Sequence, residues 1–424
     1  MRAGVRFLMV VVAVSVIVLF LGPYDRTLFC FDGEPAQVPG VEASRIDKAI
    51  KDLMSKYSIP GGTLAVMKDG RLTYAQGYGF ADASTRVHAE PGTLFRIASV
   101  SKSITAVAVL KLADEGKLSL DDKMSEIIWD YIPPTGFDIR LVDITVRDLL
   151  RHSGGWVSAT AGDPQFMSLE IAARLKSPPP PSPQTVVRYW FTRDLQFDPG
   201  RRHSYSNFGY NVLGRIIETL TRQSYESYVN STILMPLGIR RMQIGASLKE
   251  QRAKGEGVYH ANAGDPLVDS VFPSLGKVQH AYGGWSHEAL DAHGGWIASA
   301  IDLMRFVRGV EGSGGQPKLL SEKILKEMVA YQNLPGQSPD HYYALGWVVD
   351  GAGTASEQWS HTGALEGSNA ALMVRQINGV SYAVIFNALP ADFITFFDEL
   401  IEVLKEEIGS ITMWPDTDLF PRFP

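Results

Sequence analysis

The spacing of apolar residues outlines the elements of this chain before any chemistry is considered. Ile46, Ala49, Ile50, Leu53, Met54 and Tyr57 recur at three- and four-residue intervals, which predicts an amphipathic helix beginning near Ser44, with Ser44 or Asp47 as its cap. Gly62-Thr-Leu-Ala-Val-Met67 and Arg71-Leu-Thr-Tyr74 then flank Lys68-Asp69-Gly70, and Asp-Gly between β-rich runs predicts a hairpin. The middle of the chain reads as helices joined by long loops. Ile104, Val107, Ala108, Leu110 and Leu112 place one helix over 103–115, with Gly116 just past its end. Further helices are expected over 210–221 and 225–234, the second stopped by Pro236-Leu237-Gly238. The Ser177–Pro183 tract can be neither helix nor central strand, and 261–284 carries no periodicity, which in a compact protein marks a functional or mobile loop. Strand character returns over 343–349, 358–359, 370–375 and 381–386. Phe396, Phe397, Leu400, Ile401 and Leu404 then line one face of a closing helix over 393–408. This order predicts an α+β fold: a central antiparallel β-sheet built from both termini, flanked by N- and C-terminal helices, with a helical insertion domain.

The 424 residues suffice for two or three cores or one large elaborated domain. Forty Lys and Arg stand against 46 Asp and Glu, a net charge of -6, which offers no footprint for nucleic acid. A single cysteine, Cys30, excludes an intrachain disulfide framework and any multi-cysteine metal site. One segment stands apart. Arg2 and Arg6 precede an uncharged run from Phe7 to Leu21, closed by Gly22-Pro23, which is the pattern of an export signal. The run is shorter than the ~20 residues a spanning helix usually needs, yet no small-x-small cleavage site follows it. We therefore expect export, with retention by an uncleaved anchor favoured over release. The expected organisation is signal or anchor over 1–30, a linker over 31–43, the globular body over 44–409 and a tail over 410–424.

Candidate chemistry lies in three places. Ser99-Val100-Ser101-Lys102 is an S-x-x-K match at the start of the helix predicted over 103–115, so Lys102 lies one turn beyond Ser99 on the same face. The positive helix end favours an alkoxide and a neutral lysine, the ingredients of an activated nucleophile. Roughly one or two such matches are expected by chance in a chain this long. Ser274-Leu275-Gly276-Lys277 is a second, but Pro273 and Gly276 argue against a helix there. Tyr205-Ser206-Asn207 is a Y-x-N match on a loop before a helix, where a tyrosine could serve as acid or base and an amide could hold a carbonyl. Tyr228-Val229-Asn230 repeats it inside a helix, where packing is expected. His361-Thr362-Gly363 is an H-x-G match at a late strand; Lys68, His152 and His293 begin looser matches outside any late strand. The chain holds no G-x-S-x-G, so an α/β-hydrolase elbow is excluded.

The three matches occur in one order, at a helix start, a loop and a strand. Further stretches accompany them: Phe95-Arg-Ile-Ala-Ser99, Ile144-Thr-Val-Arg-Asp-Leu-Leu-Arg-His-Ser-Gly-Gly155, Met235-Pro-Leu-Gly238 and Gly294-Gly-Trp-Ile-Ala-Ser-Ala-Ile-Asp302. On these residues the sequence resembles the serine β-lactamase and penicillin-binding-protein superfamily over 44–408. It is most similar to the class C-type branch of β-lactamases, D-aminopeptidases and carboxylesterases. The resemblance implies a β-lactamase/transpeptidase-like fold with Ser99 as the acylated nucleophile and Lys102 as its proton partner. It implies Tyr205 as the second acid/base group, Asn207 at the amide position, and the main-chain N–H groups of Ser99 and Ala364 as the oxyanion hole.

His361 stands where penicillin-recognising members usually carry lysine, and imidazole gives a weaker fixed charge for a substrate carboxylate. The expected function is an exported serine hydrolase acting through an acyl-enzyme on an ester or amide, as a carboxylesterase, D-amino-acid peptidase or amidase. Two alternatives stay open: a class C-like β-lactamase or penicillin-binding D,D-peptidase, and a non-catalytic membrane-tethered binding protein. Retention of Ser99, Lys102, Tyr205 and Asn207 favours the enzyme. No cofactor or metal is expected, because His280, His287, Asp291 and His293 cluster without any ligand geometry. Expected partners are a small-molecule or peptide ester or amide and the membrane, with no nucleic acid; oligomeric state is left open.

Overall fold

The computed structural model describes residue 38 and residues 40–423, apart from 317 and 377. The run from Phe7 to Leu21 and the linker up to 37 lie outside the described residues. The predicted hairpin forms: β1 (Gly61–Lys68) and β2 (Arg71–Asp82) pair antiparallel, and Asp69 and Gly70 turn between them at φ +51 and +76. Positive φ at both turn positions is what Asp-Gly supplies at low cost. β3 (Val87–His88) then adds to the edge of β2.

After β4 (Phe95–Arg96) the chain leaves this sheet for the helical insertion. It contributes β5 (Gln243–Ile244) and β8 (Trp296–Ala298) to a three-stranded sheet with β4, and a small ribbon of β6 (Val268–Asp269) with β7 (Lys277–Val278). The ribbon interrupts the stretch over 261–284 that was expected to be a plain loop. The chain returns through β9 (His341–Tyr343), β10 (Val348–Asp350), β11 (Gln358–Leu365), β12 (Asn369–Gln376) and β13 (Val380–Phe386). The order across the large sheet is β3-β2-β1-β13-β12-β11-β10-β9, antiparallel at every pairing. The sheet is therefore built from both ends of the chain, as expected.

Several boundaries differ from the pattern reading. The strand expected over 343–349 is two strands, because the chain turns at Gly346, φ +87, where a Cβ would sit 2.2 Å from Ala106 Cβ. The first helix, Gly40–Lys56, begins inside the stretch read as linker, with Glu42 in its first turn against the helix dipole. The helix expected over 225–234 runs as an α-helix only over Tyr225–Val229 and continues as a wider turn over Asn230–Leu234. Residues 410–423 pack on the body: Leu419 N–H donates to Leu72 O at 2.9 Å, and Phe420 is buried.

Alternation along the strands divides the core in two. Leu64, Val66, Leu372, Val374, Val384 and Phe386 point to one face, against Ile46, Ile50, Phe396, Leu400 and Leu404 of the Gly40–Lys56 and Phe393–Gly409 helices. Ala65, Met67, Ala371, Met373, Ala383 and Ile385 point to the other, against helix Ala300–Glu311 and the insertion. The site lies where this second face meets the insertion.

Candidate active site

The chain enters the site from β4, which pairs with β8, so that Ile97 N–H donates to Trp296 O at 3.0 Å. Ala98 then adopts φ +47, a strained value for a residue with a Cβ, and Ala98–Val100 forms a tight 3₁₀ turn running into helix Ser101–Asp114. Ser99 thus sits in the turn before the helix, not in its first α-turn as expected, and it keeps some exposure to solvent. The helix behind it is buried on every side from Ser101 to Leu110.

Lys102 lies in that dry interior, fully buried. Its Nζ contacts Ser99 Oγ at 3.0 Å, Asn207 Oδ1 at 2.7 Å and His293 O at 2.8 Å. Burial pushes its pKa down to about 7, with Asp163 pulling weakly the other way. Counting donors shows what this arrangement does. A neutral amine has two N–H bonds and one lone pair. Asn207 Oδ1 and His293 O can only accept and so take both N–H bonds; the lone pair is left for the hydroxyl of Ser99.

Asn207 is the first residue of helix Asn207–Thr221, capped by Ser206. The helix begins three residues before the periodicity placed it, because Ser206 Oγ accepts from Gly209 N–H and carries the helical backbone back to the motif. Tyr205 precedes the cap, its ring 4.8 Å from Lys102 Nζ. Its hydroxyl interacts with Ser99, but burial of the phenol outweighs this and raises its pKa above the ordinary value. The residue remains 39% exposed, so one edge of the ring faces the entrance.

His152 holds the Tyr205 segment. Its carbonyl accepts from Ser204 N–H at 2.8 Å, its Nδ1 accepts from Ser206 N–H at 3.2 Å, and its ring lies 4.4 Å from that of Tyr205. Burial keeps His152 neutral, and its positive φ of +59 turns the chain toward the loop it orders.

The opposite wall is β11. At Gly363 a Cβ would lie 2.2 Å from Ile97 O, so only glycine lets this strand come against the Ala98–Val100 turn. The approach brings the main chain of 363–364 alongside the Ala98–Val100 turn. Ala364 is half-buried next to it, and Thr362 is exposed. His361 is buried, with Nδ1 against Thr362 O at 2.6 Å and Nε2 against the Tyr343 hydroxyl at 3.0 Å. The carbonyl can only accept, so Nδ1 carries the proton and Nε2 accepts from Tyr343. Burial and the nearby Lys102 push its pKa down to about 3, and it is a neutral group at physiological pH.

The residues of the three motifs, Ser99, Lys102, Tyr205, Asn207 and His361 to Ala364, therefore gather at one place. Two others went unnoticed. Tyr343 ties down His361, and Asp163 Oδ2 accepts from Asn207 Nδ2 at 2.6 Å. Asp163-Pro164 has the look of a turn cap, which it is, but nothing in its spacing points to Asn207. The decoys scatter. Ser274 lies on a short surface turn and Lys277 pairs with Asp269, while Tyr228 packs in the core. Asp291 pairs with buried Arg215 and His280 packs on Trp285, while His293, whose carbonyl meets Lys102, turns its ring to Gln165. Among the described residues no group of three such side chains could hold a metal ion.

The chain is similar to known proteins along most of its length. A family model described as Beta-lactamase matches residues 46–400. Protein flp of Staphylococcus aureus (strain N315) is 26% identical over 364 residues, 86% of this chain and 66% of its own length, so the chain spans about two thirds of that relative. A putative D-alanyl-D-alanine carboxypeptidase of Salmonella agona (strain SL483) is 28% identical over 69% of both proteins. Among solved structures, an octameric penicillin-binding protein homologue from Pyrococcus abyssi superposes with a TM-score of 0.66 at 23% identity, over 87% of this chain and 77% of its own. D-amino acid amidase from Ochrobactrum anthropi SV3 gives 0.65 at 24%, over 87% of this chain and 100% of its own.

Proposed function

Because this chain belongs to the β-lactamase family, we propose that it is an exported serine hydrolase that forms an acyl-enzyme on Ser99 with esters or amides lacking a carboxylate beside the scissile bond. The observation that carries the reading is the set of three contacts at Lys102 Nζ, to Ser99 Oγ, Asn207 Oδ1 and His293 O, which in the neutral amine leaves the lone pair to Ser99.

Lys102 takes the hydroxyl proton of Ser99 as Oγ attacks the substrate carbonyl carbon. The developing oxyanion is met by the N–H groups of Ser99 and Ala364. Tyr205, whose raised pKa keeps it a phenol at neutral pH, protonates the leaving alcohol or amine as the bond to carbon breaks, and recovers a proton from Lys102. Attack by water, with its proton passed back to the same pair, releases the acid and frees Ser99. His361 supports the restriction on substrate: neutral and bound at both nitrogens, it offers no charge to a carboxylate.

The test is covalent labelling with a fluorophosphonate, lost in Ser99→Ala, followed by a panel of p-nitrophenyl esters, D-amino-acid amides and nitrocefin. The amides join the panel because a structural neighbour is named a D-amino acid amidase. Labelling that persists in the variant removes Ser99 from the site, and nitrocefin as the fastest substrate overturns the restriction.

A further inference from the structure

Three side chains stand in line behind the nucleophile. Asp163 Oδ2 accepts from Asn207 Nδ2 at 2.6 Å, Asn207 Oδ1 accepts from Lys102 Nζ at 2.7 Å, and Lys102 reaches Ser99 Oγ at 3.0 Å. The middle link is an amide, which can turn over and present either its oxygen or its NH₂ to Lys102. The two orientations have opposite consequences. With oxygen toward Lys102, both N–H bonds of the neutral amine are taken and the lone pair falls to Ser99. With NH₂ toward Lys102, the amide donates to that lone pair, and the amine turns an N–H to Ser99 instead. It is then no base.

A carboxylate beyond the amide accepts and does not donate, so it selects the NH₂ end. The carboxylate is itself fixed, since Asp163 Oδ1 accepts from Gln165 N–H at 3.1 Å. We propose that Asp163 is a positioning residue, which holds the Asn207 amide in the one orientation that aims the Lys102 lone pair at Ser99. The inference rests on the reading of Ser99 as the acylated nucleophile.

The groups facing Lys102 are Asp163, Tyr205, Tyr210, His152, His293 and His361. Burial holds the three histidines neutral and the two tyrosines protonated. Burial raises the Asp163 carboxyl above its ordinary value, against the pull of Asn207, the Gln165 N–H and Lys102; ionised, it is the anion of this ring among the described residues, and it favours the protonated amine. Removing its charge without removing its size should lower the plateau rate and at the same time move the acid limb to lower pH. A packing role alone would lower the rate and leave the limb in place.

The experiment measures the second-order rate of fluorophosphonate labelling at Ser99 between pH 5 and 10 in the full chain, Asp163→Asn and Asp163→Glu. Asp163→Asn is expected to lose about 10- to 100-fold on the plateau with its midpoint shifted down. Asp163→Glu keeps the acceptor and is expected to stay within roughly threefold of the parent. A rate for Asp163→Asn within twofold of the parent overturns the proposal, as does a loss with an unmoved midpoint. Should Asp163→Asn fail to fold, Asp163→Glu decides, and a loss beyond tenfold in that folded variant overturns the proposal too. A parent chain not labelled at Ser99 overturns the nucleophile reading itself, a result distinct from these.

Discussion

The two faces of the large sheet are packed by different rules. The outer face carries large apolar side chains, among them Val66, Leu372, Val384 and Phe386, against two amphipathic helices, with a polar contact where Tyr74 meets Asp47 and Tyr78. The inner face carries Ala65, Ala371 and Ala383 at the sheet's middle, and beyond them buried Lys102, His152, Asn211, Arg215 and His361. Small residues let the insertion come close; it brings all of these polar residues but His361, which β11 supplies. One face is built for burial, which pays about 25 cal/mol per Å² of apolar surface. The other spends stability on a dry, charged interior in which a lysine can be neutral.

This contrast can be broken from either side. The largest effect is expected from Ser99→Ala, which should reduce labelling and turnover by about 10⁴-fold or more, while thermal denaturation shifts little, because Ser99 caps nothing. The outer face should behave in the opposite way. Phe396 is fully buried against Phe386 and Tyr57, so Phe396→Ala should cost about 3–5 kcal/mol in chemical denaturation, with kcat/KM of the folded fraction unchanged.

A subtler test asks what Lys102 costs. The unfolded lysine titrates near its ordinary 10.5 and the folded one near 7. Between these values the unfolded chain binds the proton that the folded chain lacks, so stability attributable to Lys102 rises with pH across that window and is lowest below pH 7. Lys102→Met should therefore be inactive, more stable than the parent at pH 7, and free of that rise; the difference in Tm between the two across pH 6 to 10 measures it. In the parent, kcat/KM should fall as pH drops through about 7, because the protonated lysine cannot take the serine proton. The smallest effect is expected from removing residues 1–30, which hold none of the three motifs: labelling kinetics should be unchanged.

The same contrast explains what could be read in advance. The outer face announces itself, since Phe396, Leu400 and Leu404 repeat with a helical period and the Asp69-Gly70 turn has one good geometry. Ser99, Lys102, Tyr205, Asn207 and His361 were legible as short motifs whose residue types name their chemistry. Asp163 and Tyr343 were not, because each acts through one hydrogen bond to a residue 44 or 18 positions away, and no local period records such a contact. The start of the Ser101–Asp114 helix was missed for a related reason. Its first turn is buried on all sides, and a helix with no wet face has no stripe to read.

The meeting of β1 with β13 has a consequence for how the molecule comes into being. Gly62 pairs with Phe386, and Asn387 Nδ2 donates to Phe80 O across 307 positions. Contacts of such range form late in folding, and during synthesis they must wait for nearly the whole chain. A ribosome that stalls before β11 leaves Ser99 and Lys102 without the Gly363 strand that completes the wall beside them. The wall beside Ser99 and Lys102 is complete only when the last strands arrive, so on the proposed function a truncated product is expected to be a poor hydrolase.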